Sequence, residues 1–158
     1  MKKGIVGMVG GMVGVIAGAV AVGKVTGGTI DEKKKKIDKF KSYYNMLNQW
    51  LLIKQKGGSL DKYFKENGYH KIAIYGMGEM GERLYDELKN TEVKVEYAID
   101  QAAESVYSEL KVIGKEEDFA PVDAIIVTAV FAFDEIEEEL REKVNCPILS
   151  LEDVVYEM

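Results

Sequence analysis

A glycine-rich turn between an apolar strand and a helical pattern is the part of this chain whose residue types and spacing best suit ligand binding. The apolar run at residues 72–75 leads into a turn with three glycines, and leucine and tyrosine then recur at helical spacing up to Leu88. In such a turn the first glycine permits a sharp bend, the second lets the backbone approach a pyrophosphate, and the third lets helix and strand pack closely. The N–H groups that begin the helix attract phosphate. The pattern predicts a dinucleotide-binding turn formed by Gly76, Met77, Gly78, Glu79, Met80 and Gly81.

Two other segments extend this predicted site. Residues 93–99 are typical of a second strand and end in Asp100, about twenty residues beyond the last glycine, where an acidic side chain usually holds the ribose hydroxyls. The nearly continuous apolar run at residues 123–130 is typical of a strand covered on both faces. Thr128 and Ala129 fall at its carboxyl end. Because ligands of parallel α/β sheets bind at the carboxyl ends of the strands, we expect these residues to line the same crevice.

The elements that must position these residues alternate between strand and helix. After Asp100 the pattern weakens, with a short strand expected at residues 112–113. A helix is expected after Asp134, a short strand at residues 147–150 and a final helical turn at residues 151–156. This alternation predicts an α/β fold, a small parallel-sheet, Rossmann-like domain at residues 69–158.

The N-terminal segment has a different character. Residues 4–23 contain no charged or strongly polar side chain, and a helix of that length spans about 30 Å, the thickness of the hydrocarbon core of a bilayer. A transmembrane helix is therefore predicted within a glycine-rich membrane anchor at residues 1–30. The lysines at 33–36 favour a cytoplasmic C-terminal domain, although Lys2 and Lys3 oppose this orientation. The alternative is a signal peptide cleaved after the small residues at 19–21.

Small residues also form a stripe along this predicted helix. Gly7, Gly11, Gly14 and Gly18 recur at alternating steps of four and three, which places them on one face. In a bilayer such a face allows another helix to approach closely. We expect a homo-oligomer or a membrane partner, the alternative being a glycine-rich anchor without one.

An amphipathic helical segment at residues 31–68 follows the anchor. Its apolar residues Ile37, Phe40, Tyr44, Leu47 and Leu51 recur at steps of three and four, and Trp50 widens this apolar stripe. This heptad-like spacing favours two interpretations equally, a self-associating stalk and a helix that lies on the globular domain.

Composition excludes several other functions. The formal net charge of -6 argues against a nucleic-acid-binding protein, whose surface is normally basic. With one histidine, His70, and one cysteine, Cys146, the chain lacks the ligands for a zinc cluster and the partners for an internal disulfide. No catalytic residue is assigned from the sequence.

The segment from about residue 48 to residue 158 resembles a family of small bacterial Rossmann-type nucleotide-binding domains. The resemblance is carried by KIAIYGMGEMGERLYDEL, YAIDQ, DAIIVTAVF and CPILSLEDVVYE. Such domains occur alone or attached to enzymes of surface-polysaccharide and nucleotide-sugar metabolism. The resemblance implies the fold, a phosphate turn at Gly76, Gly78 and Gly81, and a ribose-binding acid at Asp100.

Three functions remain open at this stage. The first is a membrane-tethered nucleotide-binding module, acting as a sensor or a scaffold, with NAD as the expected ligand because Asp100 would repel the 2′-phosphate of NADP. The second is a structural, oligomer-forming membrane protein with a degenerate Rossmann domain. The third is a small NAD-dependent oxidoreductase, which is least favoured because no substrate domain and no His, Cys or Lys proton donor is evident beside the crevice.

Overall fold

The structure is a computed structural model that describes the backbone of residues 3–158 and the side chains of residues 29–158. The chain divides into two units, Met1–Lys41 and Ser42–Met158. Helix α1 (Lys3–Gln55) belongs to the first unit up to Lys41 and to the second from Ser42 onward. The predicted transmembrane helix at residues 4–23 and its glycine stripe lie outside the residues described with side chains. Among the described residues, no helix has the length and apolar character needed to cross a bilayer.

The second unit contains a parallel sheet of five strands, in the order β3-β2-β1-β4-β5. The predicted α/β class with a parallel sheet is therefore confirmed. The strand order equals the first five positions of the order found in doubly wound dinucleotide-binding sheets, so the architecture is consistent with a Rossmann-like fold. The elements after α1 are α2 (Asp61–Glu66), β1 (Lys71–Tyr75), α3 (Glu79–Leu88), β2 (Lys94–Ile99), β3 (Val112–Ile113), β4 (Ala124–Val127), α4 (Phe133–Arg141), β5 (Ile148–Ser150) and α5 (Leu151–Tyr156).

Both faces of this sheet are covered by apolar side chains. Strand β1 is fully apolar after Lys71, and its alternate residues enter two separate cores. Ile72 and Ile74 pack with side chains of α1, α2, α3 and α5 on one face. Ala73 and Tyr75 pack with side chains of α4 and of the loop at residues 114–123 on the other. The sheet therefore holds β1 rigidly between two layers, with its carboxyl end at the predicted crevice.

Two of the connections between parallel strands contain no α-helix, unlike those of a regular doubly wound fold. Between β2 and β3 the structure has a single 3-10 turn (Ala103–Ser105), and between β3 and β4 residues 114–123 form a loop. The short strand predicted at residues 112–113 is present and forms one edge of the sheet. The helical layer on the α4 face is consequently thin, which leaves space beside α4.

The end of α1 lies on the globular domain, through only part of the apolar stripe that the sequence predicted. Met46, Trp50 and Ile53 are buried in the core, whereas Tyr44 and Leu51 of the predicted stripe are exposed. The helix therefore has two apolar faces. Trp50 lies on the buried face, and its indole N–H donates a hydrogen bond to a carboxylate of α3.

That carboxylate, Glu87, joins three helices. Its oxygens accept hydrogen bonds from Trp50 Nε1 at 2.6 Å, from Ser59 Oγ at 3.1 Å and from Leu60 N at 2.7 Å. Lys54 Nζ lies 3.2 Å from the same carboxylate, whose side chain is 7% exposed. A buried carboxylate is tolerated because each of its oxygens is bonded and a cation is beside it.

We predict that Glu87→Ala lowers the free energy of unfolding by about 3 kcal/mol, because it removes a buried charge and leaves several donors unpaired. Urea denaturation followed by tryptophan fluorescence measures this, since Trp50 is the single tryptophan. Glu138→Ala, which removes an exposed carboxylate, serves as the control and should change stability by no more than about 0.5 kcal/mol. Equal stability of the two variants would contradict the role assigned to Glu87.

Candidate ligand-binding crevice

The turn after β1 requires glycine at two of the three predicted positions. Gly76 has a φ of +92°, which side-chain-bearing residues rarely adopt. Its N–H donates to the carbonyl of Ile99 on β2 at 2.8 Å. At Gly81, a Cβ atom would collide with the carbonyl oxygen of Gly76. The first glycine therefore makes the bend and the third allows α3 to pack on the turn, as the sequence predicted.

The second glycine, Gly78, stands at the N-terminus of α3. Its φ of -81° and ψ of -164° are extended and no side chain caps the helix. A Cβ built at Gly78 would meet nothing within 4 Å. The first N–H groups of α3 thus begin beside open space, where a phosphate group could approach them.

The remaining residues of the turn point in different directions. Met77 is 4% exposed and its side chain belongs to the core shared with α3. Glu79 is exposed and Met80 is half-buried. The side chain of Met77 is therefore closed to a ligand, while the Glu79 carboxylate faces solvent.

Asp100 is placed beside the turn, and it is engaged by the backbone. Its Oδ2 accepts a hydrogen bond from Met77 N at 2.8 Å, and its Oδ1 accepts one from Ala102 N at 2.8 Å. Asp100 therefore ties the turn to the segment after β2, a role that the sequence did not reveal. Each carboxylate oxygen keeps a second lone pair, so a ribose hydroxyl can still be accepted there.

Thr128, which follows β4, forms hydrogen bonds to the end of β1 and to the turn after it. Its hydroxyl lies 2.6 Å from the carbonyl oxygen of Gly76 and 3.2 Å from that of Tyr75, and its N–H donates to Tyr75 O at 3.0 Å. Thr128 is 4% exposed, so its side chain is buried beneath the turn and stabilises it through the bond to Gly76. The next residue, Ala129, lies on the crevice wall.

A cavity of about 410 Å³ opens at the carboxyl ends of β1, β2 and β4. It contains three of the predicted site residues, Gly76, Asp100 and Ala129. The wall also includes residues that the sequence did not predict, namely Tyr75, Gln101, Phe131, Ala132, Glu135, Ile136 and Glu139. Glu135 and Glu139 lie on α4. Their spacing of four residues, one turn of a helix directly after β4, was the signal that could have placed them at the crevice.

The cavity wall is acidic. It carries the carboxylates of Asp100, Glu135 and Glu139 and no lysine, arginine or histidine. At its edge Lys115 Nζ lies 2.9 Å from Glu139 Oε1. The hydrogen bond and the charge of Glu139 raise the pKa of Lys115 above its usual value, so this lysine stays protonated and paired.

His70 and Cys146 lie away from this crevice. His70 is exposed and immediately precedes β1, at the amino end of the sheet. Burial raises the pKa of the Cys146 thiol above its usual value, which keeps it protonated near neutral pH. No cluster of three or more potential metal ligands occurs among the described residues. The crevice can therefore bind a ligand through backbone N–H groups, carboxylates and a tyrosine.

A comparison with known protein families matches the part of the chain that contains the crevice. A family model described as C2185-like, N-terminal matches residues 68–147, which include β1 through α4 and every residue of the crevice wall. Neither the curated proteins nor the solved structures that were compared match this chain.

Proposed function

Because this chain belongs to the C2185-like N-terminal family, whose description names no ligand, we propose its function from its own crevice. We propose that the domain is a nucleotide-binding module whose ligand is of the NAD type. The diphosphate of the ligand would lie at Gly78 and the start of α3. A ribose would lie beside Asp100, and the rest of the ligand would extend toward Ala129.

The observation that carries this proposal is the position of the turn at the switch point of the sheet. Strand β1 pairs with β2 on one side and with β4 on the other. The strands that follow β1 in the chain extend the sheet first through β2 and β3 on one side and then through β4 and β5 on the other. In open α/β sheets ligands bind in the crevice at this point. Here Gly76, the glycine at positive φ, lines the crevice. The uncapped N-terminus of α3 follows two residues later, at Gly78, and a helix N-terminus suits a diphosphate.

The charge of the crevice supports an NAD-type ligand over its 2′-phosphorylated form. Asp100 is an acidic side chain that bonds to the backbone through both oxygens. No basic side chain lines the cavity to balance a third phosphate. A 2′-phosphate beside Asp100 would therefore be repelled.

The crevice chemistry favours a binding module over an enzyme. Hydride transfer usually needs a proton donor beside the nicotinamide, and the cavity wall lacks the histidine, cysteine and lysine that commonly serve. A sensor or a scaffold needs only to bind its ligand and does not need to convert it. A small NAD-dependent oxidoreductase remains the alternative that a turnover assay with NADH would reveal.

A second candidate is a structural protein with a degenerate nucleotide site. The observation that favours it is that Asp100 and Thr128 form hydrogen bonds to the protein's own backbone. The turn is therefore stabilised without a ligand. A binding measurement separates the two candidates.

We predict that Gly78→Val weakens NAD⁺ binding at least about tenfold, because the added side chain would occupy the space of the phosphate. The backbone at Gly78 is open to any residue and a Cβ there meets nothing, so the thermal midpoint should not change. Isothermal titration calorimetry of the full chain measures the affinity.

Gly114→Val is the matched control. This glycine lies on the loop after β3, and a Cβ there would make an ordinary contact of 3.6 Å with Glu117 Oε1. Its affinity for NAD⁺ should equal that of the unmodified chain. Equal affinity in Gly78→Val as well would remove the diphosphate from this turn and promote the structural candidate.

The proposal also includes a membrane tether, which is supported by the sequence of residues 4–23 alone. The absence of charge over a bilayer-spanning length and the stripe of Gly7, Gly11, Gly14 and Gly18 suit a single-pass anchor that associates with a second copy or a membrane partner. The lysines at 33–36 would place the nucleotide-binding domain in the cytoplasm.

We predict that the full chain sediments with membranes and resists extraction by alkaline carbonate. Gly11→Leu with Gly14→Leu should preserve this behaviour, since both changes raise hydrophobicity, but should abolish cross-linking between helices. Val9→Leu with Val20→Leu adds bulk outside the stripe and should leave cross-linking intact. Recovery of a mature protein that begins near Val22 would instead show a cleaved signal peptide.

A further inference from the structure

The part of α1 that belongs to the second unit has an apolar face that the domain leaves uncovered. Its other face enters the core through Met46 and Trp50. The uncovered face carries Tyr44, Leu47 and Leu51, which are 69%, 38% and 55% exposed. From the helical repeat, the centres of the two faces lie roughly 120° apart around the helix axis. A helix that is apolar on well-separated sides is normally buried on both, so we expect a partner on the uncovered face.

The spacing of the exposed residues is that of a helix that pairs with another helix. Ile37 and Phe40, in the first unit, are 64% and 71% exposed, and they continue the same alternation of three and four residues. These steps match positions a and d of consecutive heptads, the pattern of a coiled-coil seam. The five residues of this seam, here called the outer stripe, are Ile37, Phe40, Tyr44, Leu47 and Leu51. An identical chain supplies the same pattern on the partner helix.

The charges of this part of α1 favour a second copy over a lipid surface. Between Ser42 and Gln55 the sequence has one charged residue, Lys54, and its ammonium lies 3.2 Å from a carboxylate oxygen of Glu87. An amphipathic helix that lies on a membrane is normally rich in Lys and Arg on its polar face, and residues 42–55 lack such a set. Two copies can also bring these uncharged faces together without repulsion between like charges.

The uncovered surface has the size that a stable dimer needs. From the exposed fractions of its side chains, the outer stripe presents roughly 650 Å² in each copy, more than the few hundred Å² of contiguous apolar surface that monomeric proteins usually expose. Pairing of two copies would cover roughly 1,300 Å², within the range of about 1,200–2,000 Å² of specific interfaces.

We propose that the outer stripe of α1 pairs with the outer stripe of a second copy of this chain, in a parallel two-helix coiled coil. In a parallel pair in register each residue of the stripe meets its own copy, so all five apolar layers coincide. An antiparallel pair that matches a with d positions would place Lys33 or Lys54 opposite an apolar residue of the stripe. This inference goes beyond the proposed nucleotide site and does not depend on it.

The test is disulfide cross-linking of the full chain in detergent micelles. Cys146→Ala removes the one native thiol, and Leu47→Cys places a new thiol in the outer stripe. A parallel pair in register brings the two copies of residue 47 together, so mild oxidation with copper phenanthroline should form a disulfide-linked dimer. Asn45→Cys in the same background is the matched control. Asn45 is also exposed but points away from the stripe, so its dimer should be at least about tenfold less abundant.

A charge placed in the stripe should separate the two copies. In the Leu47→Cys background, Leu51→Lys should lower the cross-linked fraction at least about tenfold, because two ammonium groups would meet in the seam. Asn45→Lys adds the same charge outside the stripe and should leave cross-linking intact. Both variants should keep the fluorescence maximum of Trp50, which is buried on the other face of α1, and this shows that the domain is folded.

Two results would overturn the inference, namely equal disulfide formation at residues 47 and 45 and cross-linking that Leu51→Lys does not reduce. Where Leu47→Cys forms no disulfide, its reaction with a water-soluble maleimide identifies the state of the stripe. Protection of the thiol would indicate lipid, and rapid labelling would indicate a stripe open to solvent; either result contradicts a second copy. Because residue 47 lies far beyond Gly18 in the sequence and no ligand is added, the measurement is separate from the tests of the glycine stripe and of nucleotide binding.

Discussion

The turn after β1 depends on a close approach between α3 and the residues that precede it, where Gly81 lies against the carbonyl of Gly76 and no Cβ would fit. This approach sets the angle at which α3 leaves the sheet. Because α3 is held at that angle, its uncapped N-terminus begins beside the carboxyl end of β1. The turn then depends on neighbours from two strands, with Asp100 after β2 bonding to Met77 N and Thr128 after β4 bonding to Gly76 O. The crevice therefore exists only when all three strands are assembled.

The opposite end of α3 is held by a different kind of interaction. Glu87 bonds to Trp50 and to the start of the segment that leads into α2, so α1 is attached to the same helix that bears the turn. A second contact reaches the crevice more directly, since Tyr43 stacks edge-on with Phe131 at a centroid distance of 6.0 Å. The part of α1 from Ser42 onward thus packs against both the back of α3 and a residue of the cavity wall. This arrangement connects the C-terminal end of α1 to the proposed ligand site.

The glycine turn and the parallel α/β fold could be predicted from sequence because their causes are local. Positive φ at Gly76, the open space at Gly78 and the alternation of strands with helices each leave a pattern in the residues. The exposed stripe on α1 was not predictable in the same way. Tyr44 and Trp50 both belong to the predicted stripe, but only Trp50 is buried, where its indole donates to Glu87, a residue distant in sequence. Likewise, the backbone bonds of Asp100 depend on which segments meet around it. The place of Glu135 and Glu139 in the cavity wall also depends on distant segments, because two crossovers elsewhere in the chain contain no α-helix and leave space beside α4.

The proposed function depends most on the binding of a diphosphate at the start of α3. The most direct measurement is a titration of the isotope-labelled full chain with NAD⁺, monitored by the NMR chemical shifts of the backbone amides. If the diphosphate binds there, the amides of Gly78, Glu79 and Met80 should shift most at saturation, and the amides of Asn145 and Cys146, at the far end of the sheet, should not shift. Saturable binding with the largest shifts elsewhere, or no shift at the α3 amides up to millimolar NAD⁺, would contradict it.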